Sequence, residues 1–319
     1  MCFDIAAGAD ALLAFLGGAH PPRLEARVLD QHPGVRMVAE YILTREEPRA
    51  DDHPAPIMIG KYYADETGSR TYGTMRMLED ALAQAPARPL LAVPRALFYD
   101  SGRRFLAQQR VEGTLFPALV QRADYRIYFH QAGRALALLH TQRLPAGRAK
   151  LLDDHLDELI HPHPRALCAH LPEHRATVRA LLAGMAASEW GWRDAVEVAP
   201  LHRDFHLRQL FFGHGRVWLI DWDLFAHGDP ALDVGNFLVY LRTHLGEQAK
   251  PAGDAFLAGY FTDRPTALAA RVPAYMAFTY LRLACKQFRL QGTDWRDRTG
   301  EMLHHAERCL AEEIIHARA

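Results

Sequence analysis

The sequence is most informative at Leu201-His202-Arg203-Asp204-Phe205-His206-Leu207-Arg208-Gln209, which is followed shortly by Leu219-Ile220-Asp221-Trp222-Asp223. Between the two segments lie an apolar run, Leu210-Phe211-Phe212, a Gly213-His214-Gly215 turn and a second apolar run that begins at Val217. Apolar runs separated by a short glycine-containing turn are typical of a β-hairpin. We therefore predict a hairpin with Asp204 ahead of its first strand and Asp221 at the end of its second.

An aspartate at each end of such a hairpin suits phosphoryl transfer. This reaction requires a group that orients an acceptor hydroxyl and oxygen ligands that hold Mg²⁺ against the phosphates of a nucleotide. Asp204 is the candidate catalytic group, and Asp221 and Gln209 are the candidate metal ligands. A single aspartate beside a strand is more often a turn or cap residue. The catalytic interpretation depends on the ordered combination of these residues with His202.

These motifs resemble those of the aminoglycoside phosphotransferase and choline kinase-like family. In that family the catalytic loop runs His-x-Asp-x-x-x-x-Asn, and the metal-binding strand ends in Ile-Asp-[Phe/Trp]. The residues in register with this pattern are His202, Asp204, Ile220, Asp221 and Trp222. The segment 228–233 is similar to the family's Gly-Asp-Pro-x-x-Asp motif, and we interpret its Asp229 and Asp233 as residues that stiffen the catalytic loop. The sequence differs at Gln209, where the family usually has asparagine.

The resemblance implies an α+β, bilobal protein kinase-like fold. It places a nucleotide-binding lobe at residues 1–111 and a catalytic, substrate-binding lobe at residues 112–319. Short β-like runs predict a small antiparallel sheet in the first lobe, with strands at 36–43, 57–63, 97–99 and 104–110. Apolar residues at helical spacing predict one helix, 71–84, packed on that sheet. The second lobe is predicted to be mainly helical, with helices at 128–140, 175–187, 234–245, 253–261, 273–290 and 298–317.

Lys61 lies in an otherwise apolar predicted strand, so its ammonium group requires a partner. In kinase-like sites a strand lysine contacts the phosphates of ATP and is held by a glutamate of the next helix. Glu79 is our candidate for that glutamate, and Glu66 competes with it. Residues 108–113 resemble the interlobe segment of the family, which implies that the backbone at Gln109 and Val111 meets the adenine edge.

Composition argues against nucleic acid and anionic membranes as partners. The 37 basic and 38 acidic residues give a net charge of −1, which offers no field that would attract nucleic acid or an anionic membrane. The four cysteines show no CxxC spacing, so we do not expect a disulfide framework. We expect a cytoplasmic location instead. We find no run long enough to span a bilayer. Histidines at 155–174 raise a metal-site alternative, but interleaved prolines and the lack of a repeated ligand pattern argue against it.

The resulting hypothesis is an enzyme that moves the γ-phosphate of ATP, with Mg²⁺, to a hydroxyl group of a small molecule. Aminoglycoside, choline-like amine, sugar and homoserine-like acceptors remain open. Acidic residues around the acceptor would favour a cation, and the candidates are Asp223, Asp153, Asp154 and Asp157. Tyr275, Arg282 and Arg289, from one predicted helix, are further possible substrate contacts.

Two other functions compete with this hypothesis. A catalytically weak or inactive nucleotide-binding scaffold is suggested by Gln209 and by the lack of a GxGxxG pattern over the phosphates. Backbone amides of the predicted turn at 31–34 are an alternative phosphate contact. A protein kinase proper is poorly supported, because the sequence has no Asp-Phe-Gly or Ala-Pro-Glu signature.

Overall fold

The structure is a computed structural model that describes residues 3–17, 23–44, 57–84, 89–145 and 147–317, with side chains described as far as residue 311. The described chain divides into two units. The first comprises the residues up to Thr114 together with Phe211–Asp223, and the second comprises Leu115–Leu210 and the residues from Leu224 onward. The boundary predicted between residues 111 and 112 lies close to the division after Thr114. The prediction assigns Phe211–Asp223 to the second lobe, whereas these residues belong to the first unit.

The first unit contains a five-stranded antiparallel sheet. Its strands are β1 Arg23–His32, β2 Arg36–Thr44, β3 Ile57–Tyr63, β5 Ala96–Asp100 and β6 Phe105–Gln109. The short strand β4 Leu91–Ala92 precedes β5 along the chain and belongs to a second sheet. The sheet order is β1-β2-β3-β6-β5, with every neighbouring pair antiparallel. The four predicted strands are confirmed. The sequence does not predict β1, because nearly all its side chains are exposed and no apolar alternation marks it.

Two helices pack in this unit. They are α1 Ile5–Leu16 and α2 Thr67–Ala83. The second confirms the predicted helix and buries one face that includes Thr71, Met75 and Leu78 against β3, β5 and β6. The aromatic rings of Tyr62 and Phe105 lie in the core of the sheet, with centroids 4.8 Å apart. This core fixes the position of β3, which carries Lys61.

The predicted hairpin is confirmed. Its strands are β9 Leu210–Gly213 and β10 Arg216–Leu219, which form a four-stranded sheet in the order β4-β10-β9-β7, where β7 is Thr114–Leu115. The two turn residues, His214 and Gly215, have φ values of 52° and 71°. Positive φ at both central residues is the type I′ geometry that matches the twist of a hairpin. Asp221 follows β10 and also has a positive φ, 66°, which is uncommon for a residue other than glycine.

The second unit is mainly helical. Its longer helices are α4 Tyr125–His140, α7 Arg175–Trp192, α8 Ala231–His244, α9 Ala249–Tyr260, α10 Val272–Leu290 and α11 Trp295–Ala317, and its shorter ones are α3 Phe116–Leu119, α5 Leu152–Leu159 and α6 Pro164–His170. All six predicted helices are confirmed. The three short helices are not predicted, because each spans too few residues to show helical periodicity. Two short strands, β8 Ala199–Leu201 and β11 Ala226–Gly228, pair antiparallel.

Close helix packing in this unit depends on glycine. A Cβ atom on Gly133 of α4 would lie 2.0 Å from the carbonyl oxygen of Phe256 in α9, and one on Gly259 would lie 2.0 Å from that of His130. The two helices therefore approach each other more closely than larger residues allow. Across the described residues, none of the helices combines the length and the apolar character needed to cross a membrane.

Candidate active site

Lys61 is the centre of a charged cluster in the first unit. Its Nζ lies 2.5 Å from Asp221 Oδ1 and 2.8 Å from Asp223 Oδ1. Arg36, the first residue of β2, reaches Asp221 Oδ2 at 3.2 Å and Asp223 Oδ2 at 3.5 Å. Burial would lower the pKa of Lys61, but Asp221, Tyr63 and Asp223 together raise it well above its ordinary value. The two carboxylates of Asp221 and Asp223 are therefore balanced by two cations, Lys61 and Arg36.

Asp223 receives more donors than an exposed loop acid would. Besides Lys61 and Arg36, its carboxylate accepts hydrogen bonds from Tyr63 Oη at 2.8 Å and from Thr71 Oγ1 at 3.2 Å. Burial raises the pKa of Tyr63, so its phenol stays protonated and donates. Asp223 thus joins β3 and α2 to the end of the hairpin. From the sequence Asp223 is a candidate for contact with a cationic acceptor, and this bracing role is not predicted.

The predicted Lys61–Glu79 pair is not formed in the structure. The Glu79 carboxylate lies 3.2 Å from Arg76 and 3.8 Å from Arg95 instead. The reason is the orientation of α2, because the residue of this helix that faces the cluster is Thr71, while the Glu79 side chain is 31% exposed. Glu66, the other candidate, pairs with Arg104 at 3.4 Å.

The remaining predicted nucleotide contacts lie at the ends of strands of the first sheet. Gln109 is the last residue of β6, is exposed, and donates its backbone N–H to the carbonyl of Arg95 at 2.9 Å. Val111 follows the strand and is half-buried. Within the predicted 31–34 turn, the first two residues belong to β1, and the turn itself is closed by a hydrogen bond from Val35 N–H to His32 O at 3.0 Å.

Asp204 lies in the second unit, in the loop that follows β8. Its Oδ1 is 3.0 Å from Nη2 of Arg282 on α10, and its Oδ2 is 3.4 Å from Nε2 of His206. Burial would raise the pKa of Asp204, but Arg282 and His206 outweigh this effect and hold the pKa far below its usual range. The carboxylate is therefore ionised at any physiological pH. Arg282 was named among possible substrate contacts, and the structure places it on the catalytic candidate itself.

The backbone before Asp204 is held by Asp233. The fully buried Asp233 carboxylate accepts the backbone N–H groups of His202 and Arg203, both at 2.7 Å, and lies 3.3 Å from Nε2 of His140. Arg203 has a φ of 66°, a left-handed conformation that costs about 1–2 kcal/mol for a residue with a Cβ atom. These contacts bear out the interpretation of Asp233 as a residue that stiffens the loop.

Two further contacts complete the loop. The guanidinium of Arg203 lies 2.7 Å from Glu158 of α5, and Asn236 donates its side-chain N–H to the carbonyl of Phe205 at 2.9 Å. Asp229, interpreted as a brace, caps the start of α8 through Ala231 N–H and forms a buried ion pair with Arg271 at 2.7 Å. The loop geometry is thus fixed by residues from several helices.

Gln209 ends the 3₁₀ turn Leu207–Gln209 in the same loop, and it donates its backbone N–H to His206 O at 2.9 Å. The second candidate metal ligand, Asp221, lies in the first unit. Among the residues that the structure describes, no group of three or more histidine, cysteine, aspartate or glutamate side chains is arranged to hold a metal ion. Mg²⁺ does not require such a group, because it usually binds one or two carboxylates together with phosphate oxygens and water.

A cavity of about 460 Å³ lies in the second unit and begins at the residues that follow Asp204. Its lining residues are Pro117, Val120, Gln121, His206, Leu207, Arg208, Tyr240, His244, Leu245, Gln248 and Lys286. The prediction that Asp223, Asp153, Asp154 or Asp157 lines an acceptor pocket is not supported at this cavity. Asp154, for example, caps the first turn of α5 through the Leu151 N–H and pairs with Arg148. Tyr275, another predicted substrate contact, is fully buried in α10.

Comparison with known proteins gives one family and several solved structures. The sequence model of the phosphotransferase enzyme family matches residues 24–270. The chain is similar to a choline/ethanolamine kinase family protein from Mesorhizobium loti, with 17% identity, 96% of this chain and 95% of that chain covered, and a TM-score of 0.56. For choline kinase LicA from Streptococcus pneumoniae the identity is 14%, the coverage 97% and 98%, and the TM-score 0.60.

A thermostable mutant of the aminoglycoside phosphotransferase APH(4)-Ia is also similar, with 16% identity, 94% of this chain and 98% of that chain covered, and a TM-score of 0.60. A comparison with curated proteins gave no match. At these identities the solved structures show the fold. They confirm the predicted α+β, kinase-like architecture with an antiparallel sheet in the N-terminal part and helices in the C-terminal part.

Proposed function

The chain belongs to the phosphotransferase enzyme family, and we propose on this basis that it transfers the γ-phosphate of ATP, as its Mg²⁺ complex, to a hydroxyl group of a small molecule. One observation carries the proposal. Asp204 is an ionised carboxylate in a loop whose backbone is fixed by a buried aspartate, and a cavity of small-molecule size begins at the residues next to it. Solved structures of similar fold include complexes with the ATP analogue AMP-PNP.

Asp204 orients the acceptor hydroxyl in this mechanism. Its two oxygens already contact Arg282 and His206, and each oxygen has a further lone pair for the hydroxyl. Because its pKa is held low, Asp204 is a weak base, and it acts mainly by positioning. In a loose phosphoryl-transfer transition state the hydroxyl loses its proton late, so orientation contributes more than basicity. The hydroxyl oxygen then bonds to the γ-phosphorus while the bond to the ADP oxygen breaks, and the hydroxyl proton passes to Asp204 and from there to solvent.

The Lys61 cluster serves the nucleotide. We assign Lys61 as a contact of the phosphates. Asp223, and not Glu79, is assigned as the residue that holds Lys61 in position. Asp221 and Gln209 would hold Mg²⁺, and the carboxylate oxygens of Asp221 are ligands of the kind that this ion prefers. When bound, Mg²⁺ neutralises charge that develops on the phosphates. Gln109 and Val111 remain proposed contacts of the adenine edge through their backbone groups.

Two substitutions test the proposal separately for chemistry and for nucleotide binding. Asp204→Asn is expected to abolish transfer and to leave the affinity for Mg·ATP within about twofold, because the residue contacts the acceptor. Asp221→Ala is expected to weaken Mg·ATP binding itself. The matched control is Asp254→Asn, an exposed aspartate on α9 that pairs with Lys250.

Transfer is measured as ADP formation over a panel of small alcohols, and binding is measured by the shift in melting temperature on addition of Mg·ATP. If Mg·ATP raises the melting temperature but no alcohol in the panel is phosphorylated, the chain is a nucleotide-binding scaffold. If Asp204→Asn retains the full rate of transfer, the assignment of the active site is wrong.

A further inference from the structure

The cavity next to Asp204 is lined by cations. Arg208 comes from the catalytic loop and Lys286 from α10, and both line the cavity. Among the described residues, no aspartate or glutamate lines the cavity. Two histidines, His206 and His244, stack against the ring of Tyr240, with centroid separations of 4.5 and 5.5 Å. The cavity therefore combines permanent positive charge with an aromatic wall.

The positive charge extends beyond the lining residues. Arg282, Lys286 and Arg289 lie four and three positions apart on α10, so they project from one side of the helix. Partial burial lowers the pKa of Lys286, Asp204 opposes this effect, and Arg282, Arg289 and Arg208 lower the pKa further. Asp204, Arg208, Arg282 and Arg289 therefore all lie close enough to Lys286 to act on its charge.

The nearest carboxylate does not reverse this charge. Asp204 is paired with Arg282 at 3.0 Å, so one of the cations already neutralises it. Arg208 and Lys286 are then the charges that face a ligand in the cavity, and both side chains remain accessible to solvent. A polycationic or quaternary amine would enter a field of like charge with no acidic lining residue to bind it, which is unfavourable.

We propose that the phosphate acceptor is an anionic alcohol, a small molecule that carries a hydroxyl group together with a carboxylate or a phosphate. Arg208 and Lys286 bind the anionic group, which directs the hydroxyl towards Asp204. This inference rests on the proposed function of the same site. Charge-assisted hydrogen bonds from arginine and lysine to carboxylate or phosphate are the strong polar contacts available here. The cavity volume of about 460 Å³ lies within the usual range for small-molecule sites.

Acceptor panels matched for shape and different in charge test the proposal. Short hydroxy acids are compared with their amides, glycerol 3-phosphate with glycerol, and both groups with choline and an aminoglycoside. We expect kcat/KM for the anionic member of each pair to exceed that of the neutral member by roughly tenfold or more. A neutral or cationic alcohol as the best acceptor would overturn the proposal without affecting the proposed phosphotransferase activity.

Variants of the two cations identify the source of this selectivity. Lys286→Met and Arg208→Met should each raise KM for the anionic acceptor by roughly tenfold, the effect of one lost charge-assisted hydrogen bond, and leave KM for ATP within about twofold. Lys286→Arg should restore most of the affinity. Lys250→Met, which removes an exposed lysine of α9 that does not line the cavity, should change neither constant.

The pattern of the two KM values separates the possible failures. A rise in KM for ATP that equals the rise for the acceptor would assign the cations to the nucleotide and overturn the proposal. If no alcohol in the panel is phosphorylated, the melting temperature in the presence of Mg·ATP is measured with each hydroxy acid and its amide. A further increase with the acids that Lys286→Met removes supports the anionic site, and equal behaviour of acids and amides refutes it. A failure to bind Mg·ATP at all contradicts the proposed function instead.

Discussion

Substitution of Asp233 by asparagine is expected to destabilise the protein and to slow phosphate transfer. The Asp233 carboxylate is fully buried, and its two oxygens each accept a backbone N–H, from His202 and Arg203, at 2.7 Å. In Asp233→Asn one of these oxygens becomes an NH₂ group, which cannot accept a hydrogen bond. One backbone N–H is left buried without an acceptor, at a cost of about 1–3 kcal/mol. The other loses its charged acceptor, which adds about 1 kcal/mol.

The sum predicts that the free energy of unfolding falls by about 2–4 kcal/mol. The effect on catalysis follows from Arg203, which immediately precedes Asp204 and has a φ of 66°. When its N–H loses the anchor, the left-handed conformation is no longer favoured and the Asp204 carboxylate becomes less well positioned. We expect kcat to fall by roughly 10- to 100-fold, while KM for ATP stays within about twofold.

Urea unfolding followed by tryptophan fluorescence and steady-state kinetics measure the two effects. Asp254→Asn is the matched control, because its side chain is 63% exposed and a surface change of this kind costs less than about 0.5 kcal/mol. An unfolding free energy of Asp233→Asn equal to that of the control would refute the account of the buried N–H groups. A destabilised variant with an unchanged kcat would refute the link between this anchor and Asp204.

Three other predictions concern the charged groups. Asp223→Asn should raise KM for ATP at least tenfold and Glu79→Gln by less than about twofold, since Asp223 holds Lys61 and Glu79 does not; equal effects would contradict this assignment. Arg282→Met should move the acid limb of the kcat profile to higher pH, because it removes the main group that lowers the pKa of Asp204, and an unmoved limb would refute that cause. His155 is buried and neutral, and its pKa lies well below its ordinary value, chiefly because of burial. The unfolded state therefore binds a proton that the folded state does not, and the free energy of unfolding falls as the pH drops below about 6.5. His155→Leu should reduce this loss by up to about 1.4 kcal/mol per pH unit. An unchanged pH slope of the unfolding free energy in urea would contradict the role of His155.

The strands, the long helices and the hairpin could be predicted because each depends on signals within one short segment. The turn of the hairpin, for instance, requires positive φ at two residues, and His214-Gly215 supplies them between two apolar runs. Helical spacing likewise marks α7 and α9, because each buries one continuous face. β1 gives no such signal, because it pairs with β2 through its backbone while its side chains stay exposed.

The partner of Lys61 could not be predicted from the sequence. The expected partner lay on the next helix, where Glu79 occupies a plausible position, but the direction in which α2 faces depends on its packing against β3, β5 and β6. That packing turns Thr71 towards Asp223 and leaves Glu79 partly exposed. The actual partners, Asp221 and Asp223, are separated from Lys61 by 160 and 162 positions along the chain. A signal existed nevertheless, because Asp221 and Asp223 lie two positions apart just after β10 and can present two carboxylates to a single cation.

The charge of the cavity shows how the two parts of the site are determined differently. The proposed catalytic aspartate and its anchor belong to motifs that are recognisable within a few dozen residues, because phosphoryl transfer requires the same groups for any acceptor. The cavity instead combines Arg208 of the loop with Lys286 of α10, and these two residues meet only in the folded chain. The sequence does record that Arg282, Lys286 and Arg289 share one side of α10, but it does not record what that side faces. In the structure it faces Asp204 and the cavity, so the helix that neutralises the proposed catalytic carboxylate also sets the charge that an acceptor in the cavity would meet. In the proposed mechanism, catalysis and acceptor selection are therefore coupled through α10, and a substitution that changes one cation of this helix should alter both the pH dependence of kcat and the preference for acceptor charge.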